Sequence, residues 1–160
     1  SVNGGSPVTG INDVVIEKVL TQRIISLEVA VDGERFINYD ADGLIFATPT
    51  GSTAYNLSAG GPLVAPEVEA ILLSPVAPHS LFSKSLVLHP DVDIRCTVLH
   101  DRSAGVSVDG YDLGTVAPGD VIRVRRGPGT IRFIDVSGRS FPARVKEKFH
   151  LNEDQPGPGS

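Results

Sequence analysis

At 160 residues and a formal net charge of −5, the chain is long enough for one domain with a real core and carries no basic block. That excludes a nucleic-acid or anionic-membrane surface as its main partner. A hydrophobic share of 41% separates it from disordered sequences. No segment is long or apolar enough to span a bilayer, and the N-terminus does not read as a signal peptide.

In chain order, SVNGGSPVTG (Ser1 to Gly10) reads as a flexible leader. INDVVIEK follows, and then SLEVAVDGERFINY, in which Leu27, Val29 and Val31 alternate before Asp32-Gly33, a strong hairpin signal. FATPTGSTAYNLSAGGP (Phe46 to Pro62) has hydroxyls, glycines, one tyrosine and no charge. A strand ending at Phe46 or Ala47 would deliver Thr48-Pro49-Thr50-Gly51 as a turn, with Ser52 or Thr53 capping a short helical turn through Tyr55 and Leu57. APEVEAILL predicts a second helix, with Pro66 near the first turn and Glu67 and Glu69 where the helix dipole favours acids.

Beyond it, DVDIRCTVLH sets Val92, Ile94, Cys96 and Val98 on one face. GVSVDGYDLG repeats the hairpin pattern with Val106, Val108 and an Asp109-Gly110 turn, and DVIRVRRG and TIRFIDV each alternate over a short run. FPARVKEKFHL spaces Phe141, Val145 and Phe149 four apart, the apolar stripe of a docking helix. NEDQPGPGS (Asn152 to Ser160) reads as a frayed tail, which leaves residues 11–151 as the folded domain. The class is mostly β, an antiparallel sandwich or barrel with small helical additions. No Met occurs anywhere, so the chain reads as a piece of something longer or as a processed one.

Familiar chemistries are mostly missing. His79, His89, His100 and His150 show no metal-ligand spacing. Asp40 with Asp42, and Asp91 with Asp93, each lack an evident third ligand, so no metal site is expected. No Gly-x-Ser-x-Gly elbow is present. Cys96, the single cysteine, reads as a small buried hydrophobe in a reducing, cytoplasmic compartment. The Phe46 to Pro62 stretch could present backbone N–H groups to an anion. Yet no Lys or Arg occurs between Arg35 and Lys84, so local charge does not grip a triphosphate. Hydroxyls, a tyrosine ring and backbone groups suit the neutral parts of a nucleotide.

DGLIFATPTGSTAYNLSAGGPLVAP closely resembles the signature region of the ATP-dependent NAD kinases, which make NADP from NAD. INDVVIEK, YDADGL, ILLSPVAPHSLFSKSLVL, VSVDG and FPARVKEKFHL follow the family's motifs in order, so the likeness runs from about Ile11 to Leu151. It implies the β-rich, sandwich-like C-terminal domain of such a kinase. It further implies that Asn12 and Asp13 bind a ribose of NAD, an amide and a carboxylate being sensible partners for a cis-diol. Thr53, Ala54 and Tyr55 are expected at the nucleoside portions, with Thr50 and Ser58 alongside. Asp42 is expected to accept from a nicotinamide or adenine N–H, across the boundary of a homo-oligomer, a dimer or tetramer. The parent enzyme is expected to take its phosphate from ATP or polyphosphate, with Mg²⁺ or another divalent cation.

The sequence departs from the family in one respect. The kinase signature Gly-Gly-Asp-Gly, carried by an N-terminal α/β domain, is absent: Gly4-Gly5 precedes Ser6 and Gly60-Gly61 precedes Pro62. No catalytic residue is therefore assigned within this chain, and the chain alone is expected to be inactive. Two other readings remain open. One is a β-sandwich interaction module that has lost ligand binding. The other is a related lipid or sugar kinase β-domain, which the Asn12-Asp13 and Thr-Ala-Tyr elements disfavour.

Overall fold

The computed structural model describes residues 1–151 apart from 21, 101, 135 and 137. Its strands are β1 (Asp13–Lys18), β2 (Ile25–Val31), β3 (Glu34–Ala41), β4 (Gly43–Ala47) and β5 (Ile71–Val76), then β6 (Leu86–Leu88), β7 (Ile94–Leu99), β8 (Ala104–Val108), β9 (Tyr111–Val116) and β10 (Val121–Val124). A 3₁₀ turn over Thr50–Thr53 and a short helix α1 (Tyr55–Ser58) follow β4, and α2 (Phe141–Lys148) comes last. The chain divides into two units, Ser1–Gly129 and Thr130–Ser160.

The first unit is built on two sheets, β6-β5-β4-β1-β8-β9 and β10-β7-β2-β3, with every neighbouring pair antiparallel. Period-two alternation explains why they face each other. Leu27 and Val29 of β2, Ile94, Cys96 and Val98 of β7, and Ile122 of β10 share one buried cluster with Ile16, Leu44, Phe46, Leu73 and Val106 of the larger sheet. Both expected hairpins form. Asp32 and Gly33 have φ of 51° and 84°, and Asp109 and Gly110 have 49° and 79°, the doubly positive φ that a two-residue turn needs to match strand twist.

The larger sheet is also covered on its other face. Val15, Ile45, Ala47, Ala70 and Leu72 form a second cluster, with Ala59 and Val64 of the long β4–β5 connection packed on it. That is why all five residues of β4 are buried and why its sequence reads as an unbroken apolar run.

Two expectations are corrected. APEVEAILL is not helical: a single turn, closed by Val68 N–H to Ala65 O at 3.0 Å, leads into β5. Ile71, Leu72 and Leu73 are all buried because that strand has both faces covered, a requirement of tertiary packing that overrides first-turn signals. Residues 130–134 form no strand despite their alternation, and Ile131, Phe133 and Ile134 are exposed. Among the described residues nothing pairs with them, and a strand exists only where a ladder takes its backbone groups. Within the expected leader, Val2 bridges Ile122 of β10, and the Asn3 amide donates to Asp120 at 2.8 Å.

In the second unit, the Ser140 hydroxyl caps α2 by accepting from Ala143 N–H at 3.4 Å. Its Phe141, Val145 and Phe149 stripe is half-buried. The tail expected over 152–160 lies outside the described residues.

Tyr39 of β3 is fully buried in the main core, and its hydroxyl has no hydrogen-bond partner among the described residues. Burial pushes its phenol up to about 12. Removing an unsatisfied buried hydroxyl relieves a desolvation cost, so Tyr39→Phe should stabilise the fold by about 1 kcal/mol and raise Tm by roughly 2–4 °C. Thermal unfolding at pH 7 checks this; a clear fall in Tm would contradict it.

Candidate functional site

The outward face of β1 carries Asp13, Val15 and Glu17, since Ile16 between them points into the core. Beside it β8 presents Gly105 and Ser107, paired with Glu17 and Val15 respectively. The β4–β5 connection covers part of this face and leaves the rest as the floor of a cavity of about 540 Å³. Asn12, Asp13, Asp109, Gly110 and Asp112 line it towards one end of β1, Glu17 and Gly105 towards the other, with Ala54 and Tyr55 from the connection.

The expected residues divide between cavity and surroundings. Asn12, Asp13, Ala54 and Tyr55 are brought together in the lining. Thr50, Thr53, Ser58 and Asp42 are outside it. The Thr53 hydroxyl donates to Thr50 O at 3.4 Å, and Ser58 is exposed on α1. Asp42 pairs with Lys18 at 2.7 Å. Lys18 follows Glu17 along β1, so its pair with Asp42 adjoins the Glu17 end of the cavity. Burial, then the negative charges of Glu17 and Asp42, hold the Tyr55 phenol above its usual range. Asp40, by contrast, accepts from the Ser26 hydroxyl, and Asp93 takes both ends of the Arg123 guanidinium at 2.5 and 2.9 Å. Among the described residues, no three His, Cys, Asp or Glu converge as a metal-binding group.

The hydroxyl-rich stretch is mostly self-supporting. Ser52 is fully buried, and its hydroxyl bonds both Val64 O and Val64 N–H, at 3.2 and 3.1 Å, rather than capping a helix. Asn56, also fully buried, donates to Ser52 O and Pro62 O at 3.2 and 3.1 Å and accepts from the Ser74 hydroxyl at 2.7 Å. The connection is thereby bolted to β5, and Tyr55, the neighbour of Asn56, is turned out towards the cavity. Thr48 binds the other side: its hydroxyl donates to Ile11 O at 2.6 Å and its N–H to Asn12 O at 2.9 Å. Gly51 packs directly on the Asn12 carbonyl, where any Cβ would collide with it.

Asp109 is the residue that sequence reasoning passed over. Its carboxylate accepts from the N–H groups of Ile11, Asn12 and Asp13 at 2.6, 2.7 and 3.0 Å, and its own N–H donates to Asp13 O at 3.0 Å. Burial pushes this carboxyl up, but the three N–H bonds outweigh burial and hold it below the usual range. The signals were its Asp-Gly pair, which reads as a turn, and its place in the VSVDG motif, which gave it no role. Asp13 moves the other way: burial first, and the nearby Asp109 charge second, raise its pKa.

These shifts have opposite linkage. Stability from Asp109 is present above the unfolded carboxylate value near 3.9 and is lost as pH falls through its lower folded value. Stability from Asp13 is fully present below that unfolded value and is lost as pH rises through its raised folded value. Asp13→Asn should therefore raise Tm at neutral pH and reduce the decline just above pH 4. Asp109→Ala should cost about 2–3 kcal/mol, since hydrogen bonds to a charged group are the stronger kind. Thermal melts between pH 3 and 8 test both; an Asp13→Asn variant less stable than wild type at pH 7 would contradict the sign.

Comparison with known proteins agrees with this architecture. The family model of the ATP-NAD kinase C-terminal domain matches residues 11–136. NAD kinase 1 of Streptomyces avermitilis is 44% identical over 148 residues, covering 91% of this chain and 41% of that protein. The NAD kinase of Carboxydothermus hydrogenoformans is 44% identical over 140 residues, covering 87% and 50%. The chain thus spans about half the length of the curated relatives it matches. Yeast NADH kinase, solved with NADH, superposes with a TM-score of 0.79 at 32% identity over 94% of this chain and 46% of that one. An Archaeoglobus fulgidus NAD kinase solved with ATP gives 0.69 at 29% identity, over 80% and 49%. With the family model spanning the strands and the connection that build the cavity, the chain belongs to the ATP-NAD kinase C-terminal domain family.

Proposed function

We propose that this chain is the dinucleotide-binding part of an NAD kinase, and that the cavity beside β1 holds a nucleoside portion of NAD or NADP. The observation that carries the reading is the convergence of Asn12 and Asp13 with Ala54 and Tyr55 in one lining. Asp13 offers a carboxylate that accepts from both hydroxyls of a cis-diol, and the Asn12 amide can accept or donate beside it. Tyr55 offers an aromatic surface for the nucleoside.

In the whole protein, the γ-phosphate of ATP, or a polyphosphate phosphate, passes to the 2′-hydroxyl of the adenosine ribose of NAD, giving NADP. The Gly-Gly-Asp-Gly element that would supply the base is absent from this sequence, so this chain's part is to bind and orient the acceptor. A divalent cation would enter with the phosphate donor, its ligands coming from the phosphates and the remainder of the protein. No helix of the described residues is long and apolar enough to cross a membrane. We place the parent enzyme in the cytoplasm, where the buried thiol of Cys96 stays reduced.

Titration calorimetry with NAD tests the reading. Wild-type chain should bind, and Asp13→Ala and Tyr55→Ala should each weaken binding by about 1.5–3 kcal/mol, roughly ten- to a hundredfold. Val98→Ala, in the core and outside the lining, should lower Tm instead. NAD affinity unchanged in both site variants would contradict the assignment. Incubated with NAD, ATP and Mg²⁺, the chain should form no NADP above a protein-free control.

We further propose that the domain self-associates and that Asp42 reaches a ligand held by a second copy. β9, whose residues Tyr111 to Thr115 are exposed at a sheet edge, is the kind of surface that assembly covers. A ligand touching two subunits favours the assembled state by mass action. Sedimentation should thus show NAD or NADP increasing the apparent size of wild type, and less so of Asp42→Ala; a monomer indifferent to ligand would refute this.

A further inference from the structure

We propose that Gly105 is a specificity-determining residue of the cavity: its bare backbone is the floor on which the flat heteroaromatic ring of the dinucleotide lies. The inference rests on the dinucleotide reading above and deepens it by placing one part of the ligand.

Glycine in the middle of a strand needs a reason, because it loses more chain entropy than any other residue and packs nothing on its neighbours. The usual reasons are missing here: the β8–β9 ladder does shift register between Val106 and Ser107, but the extra residue, Leu113, lies in β9, and Gly105 pairs regularly with Thr115. Gly105 is not among the positive-φ glycines; it is ordinary extended strand. It is not a close approach within the chain either, since the nearest atom to an added Cβ is Glu17 O at 3.8 Å, ordinary contact distance. An added Cβ would meet nothing closer than ordinary van der Waals contact within the protein. What it would enter is the cavity, which Gly105 lines.

The rest of the lining says what needs that room. Asp13 and Glu17 lie on the same face of β1, four residues apart, about 13 Å at the rise of a strand. With the Asn12–Asp13 end taking a ribose diol, the attached ring falls towards the Glu17–Gly105 end. There the walls change in kind: a flat glycine floor and one carboxylate, Glu17, which is exposed, has no hydrogen-bond or ion-pair partner among the described residues and can accept from an exocyclic NH₂, with the Tyr55 side chain in the same lining. A planar ring with an amino or carboxamide group fits that combination, and both adenine and nicotinamide have it. A Cβ and its branches at 105 would occupy the plane of the ring.

The experiment uses Gly105→Ala and Gly105→Val in the 160-residue chain, with thermal unfolding and NAD titration calorimetry. A β-branched residue suits a strand better than glycine, so the Tm of Gly105→Val should equal or exceed that of wild type. Its NAD affinity should fall at least about tenfold, with Gly105→Ala between the two. AMP and nicotinamide mononucleotide as competitors then identify the ring: the one whose affinity falls in Gly105→Val carries it. If wild type binds NAD and Gly105→Val binds it within about twofold, the inference fails while the site assignment stands. A Tm for Gly105→Val well below wild type would also overturn it, because the position would then be closed by the protein itself. If wild type does not bind NAD, both the site assignment and this inference fail.

Discussion

The site depends on one interaction: the Asp109 carboxylate gathering the three consecutive N–H groups of Ile11, Asn12 and Asp13. Strand pairing alone would not hold these residues, since Ile11 and Asn12 precede the first residue of β1 and have no ladder partners. An ionised acceptor with several N–H donors is among the stronger hydrogen-bonding arrangements in a protein. It works here because the Asp109-Gly110 turn, at the tip of the β8–β9 hairpin, points the carboxylate back at the neighbouring strand. From the other side, Thr48 and Gly51 close on the carbonyls of the same residues. Asn12 and Asp13 are thus clamped between two loops that are distant in sequence, one at Thr48 and Gly51 and the other at Asp109. A ligand meeting them meets a prepared surface, and less freedom is lost on binding.

The clamp also sets up an electrostatic tension. Asp109 is kept ionised by its N–H donors, and its charge together with burial makes ionisation of the neighbouring Asp13 less favourable. A structure selected for stability alone would not set a second carboxylate there. The arrangement is understandable if Asp13 is to meet hydrogen-bond donors that arrive with a ligand, which is the sense in which functional sites carry local cost.

Double coverage of the larger sheet explains how a loop rich in small polar residues can be rigid. The inner face of β1, β4 and β5 packs on the second sheet, and the outer face is partly covered by the β4–β5 connection. That connection docks Ala59 and Val64 on the sheet and is fixed further by polar means. Ser52, Asn56 and Ser74 form a fully buried set in which the donors and acceptors match. Such a network is worth having only when complete. Here it is, and Tyr55 and Ala54 are held at the cavity by it.

Much of this was legible in the sequence. Alternation at Leu27, Val29, Ile94, Cys96 and Val98 pointed to antiparallel strands in a sandwich or barrel, because period-two burial is a local property of a strand. Asp-Gly pairs specified two hairpins, because few residues tolerate positive φ. The order of the motifs around Asn12-Asp13 and Thr53-Ala54-Tyr55 pointed to the family. What the sequence could not settle was which side chains are spent on the protein itself. In a row of hydroxyls, Ser52 and Thr48 bond their own chain while Tyr55 faces the cavity, and no local pattern separates them. The run around Ile71 was read as helix because burial on both faces erases the strand's alternation, and only the packed sheet restores the distinction. Asp109 looked like a turn residue, and its second task appears only once β8 lies beside β1. Those choices belong to tertiary structure, because each is decided by a partner from a distant segment, and a sequence states its partners only after it has folded.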